Sequence, residues 1–307
     1  MNLITRKKAK ETAEVAAPGT LLTTERAHRS GWSRGWTRFK RYKPALVGLV
    51  FLGILAVLSI IPGPFAPYDP TFAQPDLLGA PPSWSHPLGF DEIGRDVLSR
   101  IVYGTRIALI VALLATAMAV TIGVLVGAAA GYFGGWVDSV LSRLVDTIMA
   151  FPTIALLIAL VAVVGPSLKT TIVVIGATVW ASYARVARAD VLSLRERDYI
   201  VAARAVGANH LRIIVRHIVP NIAGPIIVLS TLAVGSIIIL EAALSFLGLG
   251  VQPPTPDWGT MLASSRAYIQ TYPHIAIAPG VMISLTVLAF NLIGDGLRDA
   301  LDPRGRD

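Results

Sequence analysis

Residues 107–130 read IALIVALLATAMAVTIGVLVGAAA, a run of 24 residues that contains no Asp, Glu, Lys or Arg. A helix needs about 20 apolar residues to cross the hydrocarbon of a bilayer. Lipid offers no hydrogen-bond partners to an open backbone, and the run lacks the period-two alternation of a barrel strand. The stretch therefore predicts a transmembrane helix that follows Arg106 and is broken at Gly131, Gly134 and Gly135.

Five further stretches of low charge bring the predicted total to about six transmembrane helices. They run from Pro44 to Ile61, from Asp146 to Val164, from Thr170 to Ala184, from Pro220 to Leu249 and from Ile275 to Gly294. Pro152 predicts a kink in the second of these stretches. The third is short, so Lys169 and Arg185 must extend to the two interfaces. The predicted fold class is all-α, a polytopic membrane protein.

The composition agrees with a membrane protein and excludes several kinds of site. Hydrophobic residues make up 54% of the chain and charged residues only 15%, against roughly 25% charged residues in ordinary globular domains. The absence of cysteine excludes disulfides, thiolate metal sites and cysteine nucleophiles. No pair of histidines has metal-ligand spacing, and no Gly-x-x-x-x-Gly-Lys-Ser/Thr loop is present to hold nucleotide phosphates. We therefore expect no metal and no cofactor bound by this chain.

The positive charges fall mainly on one side of the predicted topology. Residues 1–43 carry eleven Lys or Arg, residues 185–216 carry seven, the connection before the third span carries one, and the C-terminal tail carries three. The opposite side holds Arg95, Arg100, Lys169 and Arg266. Because cytoplasmic loops carry an excess of Lys and Arg, both termini are predicted to lie in the cytoplasm. Membrane topology thus explains the net charge of +8 without binding to nucleic acid.

This topology divides the chain into four parts. We expect a basic cytoplasmic tail at residues 1–43, a first transmembrane helix with an external segment at residues 44–105, a core of about five helices at residues 106–298, and a cytoplasmic tail at residues 299–307. The external segment is rich in proline and aspartate, and a short helix from about Asp91 to Tyr103 is predicted within it.

The connection at residues 185–219 is long and charged, yet its composition still favours helix. Ala202 and Ala203 are small enough to let another backbone approach closely. Gly207 can adopt the positive φ that ends one helix and begins a turn. Pro220 is well placed as the first residue of the next span, where its missing N–H has no cost. These residues predict a helix, a turn and a second helix under the membrane, the shape of a docking element.

This connection resembles a cytoplasmic signature of permeases that work with ATP-binding-cassette subunits. The signature reads Glu-Ala-Ala, three residues, Gly, nine residues, Ile, one residue and Leu-Pro. Ala202, Ala203, Gly207 and Pro220 match it. The departures are Val201 for Glu, His217 for Ile and Val219 for Leu.

At these departing positions the sequence resembles the version of the signature found in the dipeptide and oligopeptide branch of that family. The resemblance is specifically to the second of the branch's two non-identical permeases. The similar blocks are residues 199–208 (YIVAARAVGA), 216–221 (RHIVPN), 86–96 (HPLGFDEIGRD), 241–250 (EAALSFLGLG) and 294–303 (GDGLRDALDP). In order along the chain, they extend the resemblance from about residue 35 to the C-terminus.

The resemblance implies a type I ABC importer permease fold and a subunit that is not itself an enzyme. The implied partners are a second homologous permease, two cytoplasmic ATP-binding-cassette ATPases that bind ATP and Mg, and an extracytoplasmic substrate-binding protein. The implied location is the bacterial inner membrane. The residues implied to couple to the ATPases are Ala202, Ala203, Arg204, Gly207, Ala208 and Pro220. The expected substrates are di- or oligopeptides, with nickel, glutathione or another small solute as alternatives.

Three groups of charged residues leave alternatives open. Glu241, the one carboxylate within a clear span, either faces the translocation path or has a structural role, paired with a neighbouring helix or near the outer interface. Arg143 is predicted to pair with Asp146, three residues away, near Asp138. A C-terminal cluster forms either an interfacial charge group or a second ATPase contact; its members are Asp295, Arg298, Asp299 and Asp302.

Two other classes of protein fit the sequence less well. An intramembrane enzyme needs paired carboxylates, a Ser/His pair or His-Glu-x-x-His at membrane depth, and none of these is evident. A carrier that works alone is expected to show internal symmetry or several ionisable groups within its spans. A transport subunit is therefore the favoured hypothesis.

Overall fold

Helices make up nearly all the regular structure of the part of the chain that the computed structural model describes, residues 31–301. The predicted basic tail up to residue 30, and residues 302–307 with Asp302, lie outside this part. Within residues 31–301 the only β-type pairing is an isolated bridge between Phe90 and Asp96. The all-α prediction is confirmed.

Eleven α-helices are present among the described residues. They are α1 (Gly31–Arg41), α2 (Lys43–Ile60), α3 (Val97–Phe133), α4 (Gly135–Met149), α5 (Thr153–Val164), α6 (Leu168–Leu194), α7 (Asp198–Ala205), α8 (His210–Ile213), α9 (Val219–Phe246), α10 (Trp258–Ser265) and α11 (His274–Leu301). Single 3₁₀ turns lie at Pro75–Leu77 and Arg266–Tyr268, and a π-helical turn at Ile214–Ile218 joins α8 to α9.

Five continuous helices in residues 31–301 are long and apolar enough to cross a membrane: α2, α3, α6, the run from α8 through α9, and α11. The pair α4–α5 would add a sixth span, but its two helices are bent by 88°. The kink predicted at Pro152 is therefore a full break between Met149 and Thr153. Proline lacks an N–H and disfavours helical geometry at the residue before it, so the helix ends ahead of Pro152.

Two predicted boundaries are also wrong. The short helix predicted from Asp91 to Tyr103 is not separate, because α3 starts at Val97 and runs unbroken for 37 residues. Asp96 caps its start by accepting a hydrogen bond from the Ser99 N–H at 2.7 Å. The predicted short span from Thr170 to Ala184 is part of α6, which continues to Leu194 and takes up the first ten residues of the 185–219 connection.

The centre of the fold is the packing of α3 against α6. Gly123, Gly127 and Gly131 lie one turn apart on α3, and a side chain on any of them would overlap α6. Opposite them lie residues such as Ala184 and Ala187. Small residues at this spacing let two helices approach closely where lipid supplies no hydrophobic driving force.

At one end of the bundle, residues 62–96 and 251–273 fold together over the start of α3; we call these two segments the cap. Three charged side chains are buried where the cap meets α3: Asp91, Arg95 and Arg100 are 3%, 8% and 4% exposed. Arg95 Nε lies 2.7 Å and Arg100 Nε 3.3 Å from Asp91 Oδ2. The second segment is joined to α3 where Trp258 Nε1 donates to the Ile101 carbonyl at 3.1 Å. The cap is thus held by internal polar contacts.

Candidate functional site

At the other end of the bundle, residues 195–219 form a compact helix–turn–helix; we call this the arginine-rich segment. Gly207 ends α7 with φ of +81°. Its N–H donates to the Arg204 carbonyl at 2.9 Å, and the Ala208 N–H donates to the Ala203 carbonyl at 3.0 Å. This is the Schellman arrangement that closes a helix with a left-handed glycine. Asn209 then caps α8 by accepting from the Leu211 N–H at 3.2 Å.

The inner face of the segment is apolar and packs against the body of the protein. Ile200, Ile213 and Ile218 are each 0% exposed. They form one cluster with residues of α3 and α6, including Ala128 and Val191. Since α7, α8 and the π-helical turn each contribute one isoleucine, the whole segment is anchored to the bundle by burial of apolar surface.

Polar contacts join the segment to the last turn of α3. The Tyr132 hydroxyl lies 2.9 Å from Nδ1 of His210. The Arg204 guanidinium lies over the Tyr132 ring at 5.7 Å from its centroid. Arg195 Nη1 donates to the Gly131 carbonyl at 3.1 Å. Within the segment, Arg204 Nη2 donates to the Arg195 carbonyl at 2.6 Å. The segment is therefore attached by polar as well as apolar contacts.

The outer face of the segment carries apolar side chains with nothing over them. Val206 is 88%, Leu211 67% and Val215 60% exposed. Val206 directly precedes Gly207, and an added side chain at Gly207 would meet nothing within 4 Å. Val206 and Leu211 flank the turn at Gly207, and Val215 lies in the π-helical turn that follows. Exposed apolar side chains outside the predicted membrane spans are typical of a surface that binds another protein.

All six residues singled out from the sequence lie on or directly after this segment, but not on one face. Ala202, Arg204, Gly207 and Pro220 are exposed, whereas Ala203 and Ala208 are half-buried. The last two pack against the inner apolar cluster. Sequence reasoning missed Val206 and Leu211, although hydrophobic residues on both sides of a predicted turn glycine were a usable signal.

Two ion pairs at this end differ from the local pairing predicted. Asp146 contacts Arg185 of α6 at 2.9 Å, so the prediction that Arg143 pairs with Asp146 is wrong. Asp138 is held by Arg188, whose Nη2 lies 2.7 Å from Asp138 Oδ2. Both pairs join α4 to α6, because the close packing of α6 on α3 brings its arginines beside α4.

Glu241 lies at the opposite end of α9, where it contacts the cap. It is 1% exposed, and its Oε1 accepts a hydrogen bond from the Ser245 hydroxyl at 2.8 Å. Its carboxyl group also meets that of Asp257, which is 0% exposed and caps α10 through the Thr260 N–H at 2.9 Å. Burial raises the pKa of Asp257 above its ordinary value. The two carboxyl groups form a pair that the sequence alone did not reveal.

The remaining sequence candidates lie away from these groups. Asp295, Arg298 and Asp299 are exposed on the last turns of α11. Among residues 31–301, no group of three or more His, Cys, Asp or Glu is placed to hold a metal ion.

Comparison with known protein families gives two matches along the chain. The profile described as "binding-protein-dependent transport system inner membrane component" matches residues 119–307. The profile described as the N-terminal transmembrane domain of oligopeptide transport permease C matches residues 30–82. The first match alone covers more than half of the chain, including α6 to α11 and the arginine-rich segment.

Curated relatives match nearly the whole length of the chain. A glutathione transport system permease protein of Escherichia coli (strain 536) is 43% identical over 277 residues, covering 90% of this chain and 91% of the relative. A dipeptide transport system permease protein of Alkalihalophilus pseudofirmus is 44% identical over 281 residues, covering 90% of both. Among solved structures, a chain of the inward-facing MetNI methionine ABC transporter matches with a TM-score of 0.54 and 19% identity. That match covers 66% of this chain and 96% of the other, and it shows a common fold.

Proposed function

The chain belongs to the family of binding-protein-dependent transport system inner membrane components, and on that premise we propose that its arginine-rich segment is the surface through which separate ATPase subunits drive it. As a member of this family, the chain is a permease subunit of an ABC importer. It supplies a path across the membrane, and the energy of transport comes from its partners.

The observation that carries this proposal is the exposure of Val206 and Leu211 at the tip of a firmly anchored turn. An apolar tip can be buried in a groove on another protein. The inner face of the segment is packed against the bundle, so the turn keeps its structure when a partner moves it. The segment carries five arginines against Glu196 and Asp198. We therefore expect a groove with apolar walls and an acidic rim on the ATPase. In this arrangement Ala202, Arg204 and Gly207 contact the partner, while Ala203, Ala208 and Pro220 shape the turn.

The complete importer that this proposal requires has several subunits. A second homologous permease forms the path together with this chain, two ATPases bind ATP and Mg in the cytoplasm, and a substrate-binding protein delivers solute from outside. The excess of Lys and Arg on one side supports an orientation with both termini in the cytoplasm, and the family description supports a location in the bacterial inner membrane. In that orientation the cap faces outward, toward the binding protein.

Short peptides are the substrate class that we propose. Relatives that match nearly the whole chain are named for dipeptide and for glutathione transport, and glutathione is itself a modified tripeptide. A translocation path that accepts a short, flexible, polar peptide backbone would fit both kinds of substrate. We place Glu241 outside that path, because its carboxyl group is enclosed between Ser245 and Asp257.

The test is a charged substitution at the tip of the turn. Gly207→Asp places a carboxylate where the proposed groove is acidic and leaves the surrounding bundle untouched, since no atom lies within 4 Å. We expect the variant to reach the membrane, to lose co-purification with the ATPase subunits, and to lose ATP-dependent uptake of labelled glutathione or dialanine into vesicles.

Gly248→Asp is the matched control for backbone strain. Gly248 has φ of +77°, close to the +81° of Gly207, and it too has no atom within 4 Å of an added side chain. It lies at the opposite end of α9, so co-purification with the ATPases is expected to persist. If Gly207→Asp retained the ATPases and wild-type uptake, the docking role of the segment would be refuted.

A further inference from the structure

We propose that Tyr132 is the positioning residue that transmits movement of the arginine-rich segment to α3. The inference rests on the proposed docking function, because it concerns what happens to the segment once an ATPase holds it. Nothing in the sequence motifs points to Tyr132; its role follows from where α3 ends.

Tyr132 contacts the segment on both sides of its turn. Arg204, in the last turn of α7, lies over the face of the Tyr132 ring. His210, the first residue of α8, lies 2.9 Å from the Tyr132 hydroxyl through Nδ1. The Tyr132 side chain is 8% exposed and is buried against the segment, whereas Arg204 and His210 are themselves exposed. A single side chain of α3 therefore fixes both helices that flank Gly207.

Neighbouring contacts make this junction stiff. The Phe133 ring meets the edge of the His210 ring at 5.9 Å between centroids. Arg204 is also tied to the end of α6 through the Arg195 carbonyl, and Arg195 in turn donates to the Gly131 carbonyl. The guanidinium that stacks on Tyr132 thus cannot move without disturbing both α3 and α6.

The helix that Tyr132 ends is suited to carry a displacement across the molecule. At 37 residues, α3 is about 55 Å long. Its other end lies in the cap, where Arg100 contacts Asp91. A helix that is packed along α6 and bonded at both ends moves as a rigid body, so a shift at Tyr132 reaches the cap. The energetic coupling has a continuous physical route.

The apolar cluster and the hydroxyl contact have separable roles. Ile200, Ile213 and Ile218 keep the segment on the bundle through buried surface alone. The Tyr132–His210 contact fixes the position of the segment relative to α3, because a hydrogen bond depends on distance and angle. Apolar packing alone would let the two surfaces slide past each other. Removing only the hydroxyl should therefore leave the segment attached and able to bind its ATPase, but less tightly linked to α3.

The experiment measures ATP hydrolysed per molecule of substrate imported, in proteoliposomes that contain the complete importer, with labelled glutathione and labelled dialanine as probes. Tyr132→Phe removes the hydroxyl and keeps the ring under Arg204. We expect the ratio to rise about 2- to 10-fold, in keeping with the net contribution of one hydrogen bond, with ATPase co-purification unchanged. Tyr103→Phe on the same helix is the control and should keep the wild-type ratio, because the Tyr103 hydroxyl makes no hydrogen bond within residues 31–301.

A double-mutant cycle with His210→Ala tests whether the two residues act through one contact. If they do, Tyr132→Phe combined with His210→Ala raises the ratio no further than either change alone. Additive effects, or a wild-type ratio in both single variants, would overturn the inference. A lower yield of folded protein with an unchanged ratio would also overturn it, since that is the result of a purely structural role.

The outcome is distinguishable from failure of the docking proposal. If Gly207→Asp abolishes uptake and Tyr132→Phe leaves the ratio unchanged, the segment docks but Tyr132 does not relay its movement. If Gly207→Asp has no effect, the docking proposal itself fails. Should Tyr132→Phe not fold, His210→Ala alone still decides the question, because His210 lies at the exposed end of the contact.

Discussion

Two glycines with nearly the same backbone serve opposite purposes at the two ends of the molecule. Gly94 in the cap has φ of +80° and Gly207 in the arginine-rich segment has φ of +81°. An added side chain at Gly94 would overlap the backbone of Gln74, whereas one at Gly207 would meet nothing. In the cap, glycine allows two backbone segments to pack closely together. In the arginine-rich segment, glycine forms a turn that is open to solvent.

The charges follow the same division. At the cap, Asp91 and Arg95 are buried together with Arg100 of α3, and both guanidinium groups form an ion pair with the Asp91 carboxylate. In the segment, Arg212 and Arg216 are exposed. A region whose polar groups are paired internally is built to be stable, and one that leaves them exposed is available to a partner. The following predictions test this contrast, in order of expected size.

The largest effect is expected where the glycine is enclosed. Gly94→Ala should lower the free energy of unfolding by about 2–5 kcal/mol, because it adds the cost of a left-handed residue to that of a backbone overlap. Gly207→Ala should lower it by only about 1–2 kcal/mol, the cost of the left-handed conformation alone. Thermal unfolding of the purified subunits in detergent measures both, and equal shifts would contradict the contrast.

A second large effect is expected from removing one buried charge. Asp91→Asn keeps the acceptor for the Arg95 N–H but leaves two buried arginines without that carboxylate. We expect the free energy of unfolding to fall by about 2–4 kcal/mol. This is less than the cost of leaving a buried charge wholly unpaired, because Glu92 and the Pro70 carbonyl remain as partners of the arginines.

The matched control for that change is Glu196→Gln in the arginine-rich segment. Glu196 pairs with Arg195 at 3.0 Å, but its side chain is 73% exposed. Solvent screens such a pair, so the free energy of unfolding should fall by less than about 0.5 kcal/mol. Chemical denaturation curves for the two variants should therefore separate clearly; a similar midpoint for both would mean that the cap charges are solvated.

An intermediate effect is expected for the pair that ties α4 to α6. In this pair the Asp138 side chain is 19% and the Arg188 side chain 37% exposed. Asp138→Asn should cost about 1 kcal/mol or less, because partial exposure reduces the electrostatic contribution. Limited proteolysis near the 150–152 break reports on this, since α4–α5 should open more readily. If cleavage there matched the wild type, the pair would contribute nothing to holding α4.

The smallest effect on stability is expected at the outer face of the segment. Val206→Ser and Leu211→Ser replace exposed side chains, so the unfolding temperature of the isolated subunit should hardly change. Binding of the ATPase subunits should nonetheless weaken about 10-fold or more, as expected for the central anchors of an interface. Unchanged ATPase affinity in both variants would mean that the partner contacts another face.

Much of the membrane architecture was predictable from runs of uncharged residues. The positions of α2, α9 and α11 agree with the predicted spans to within a few residues at most boundaries. The errors came where a helix continued past the hydrophobic run, as α6 does to Leu194, or where a proline broke it completely, as at Pro152. Hydropathy detects the part of a helix that lies in lipid and is silent about the rest.

The candidate site was predictable only in part, because some residues that contact one another there are far apart in the sequence. Ala202, Ala203 and Gly207 stand within one short motif, so their spacing carried the prediction. The Tyr132–His210 contact joins residues 78 positions apart, and the Asp138–Arg188 pair spans 50. A single sequence offers no signal for such pairs, so the nearest opposite charge was chosen and proved wrong for Arg143.

Hydropathy and charge alone were enough to establish an all-α membrane protein with a basic, helix-forming connection before its fifth predicted span. They suffice because the free energy of placing a helix in lipid is nearly a sum over its own residues. Only the contacts between helices determined the features that depend on interactions between distant residues. These features are the exposed face of the arginine-rich segment, the contact of Glu241 with Asp257, and the contact of Tyr132 with the segment. Those energies depend on distances between side chains, and only the packed bundle sets such distances.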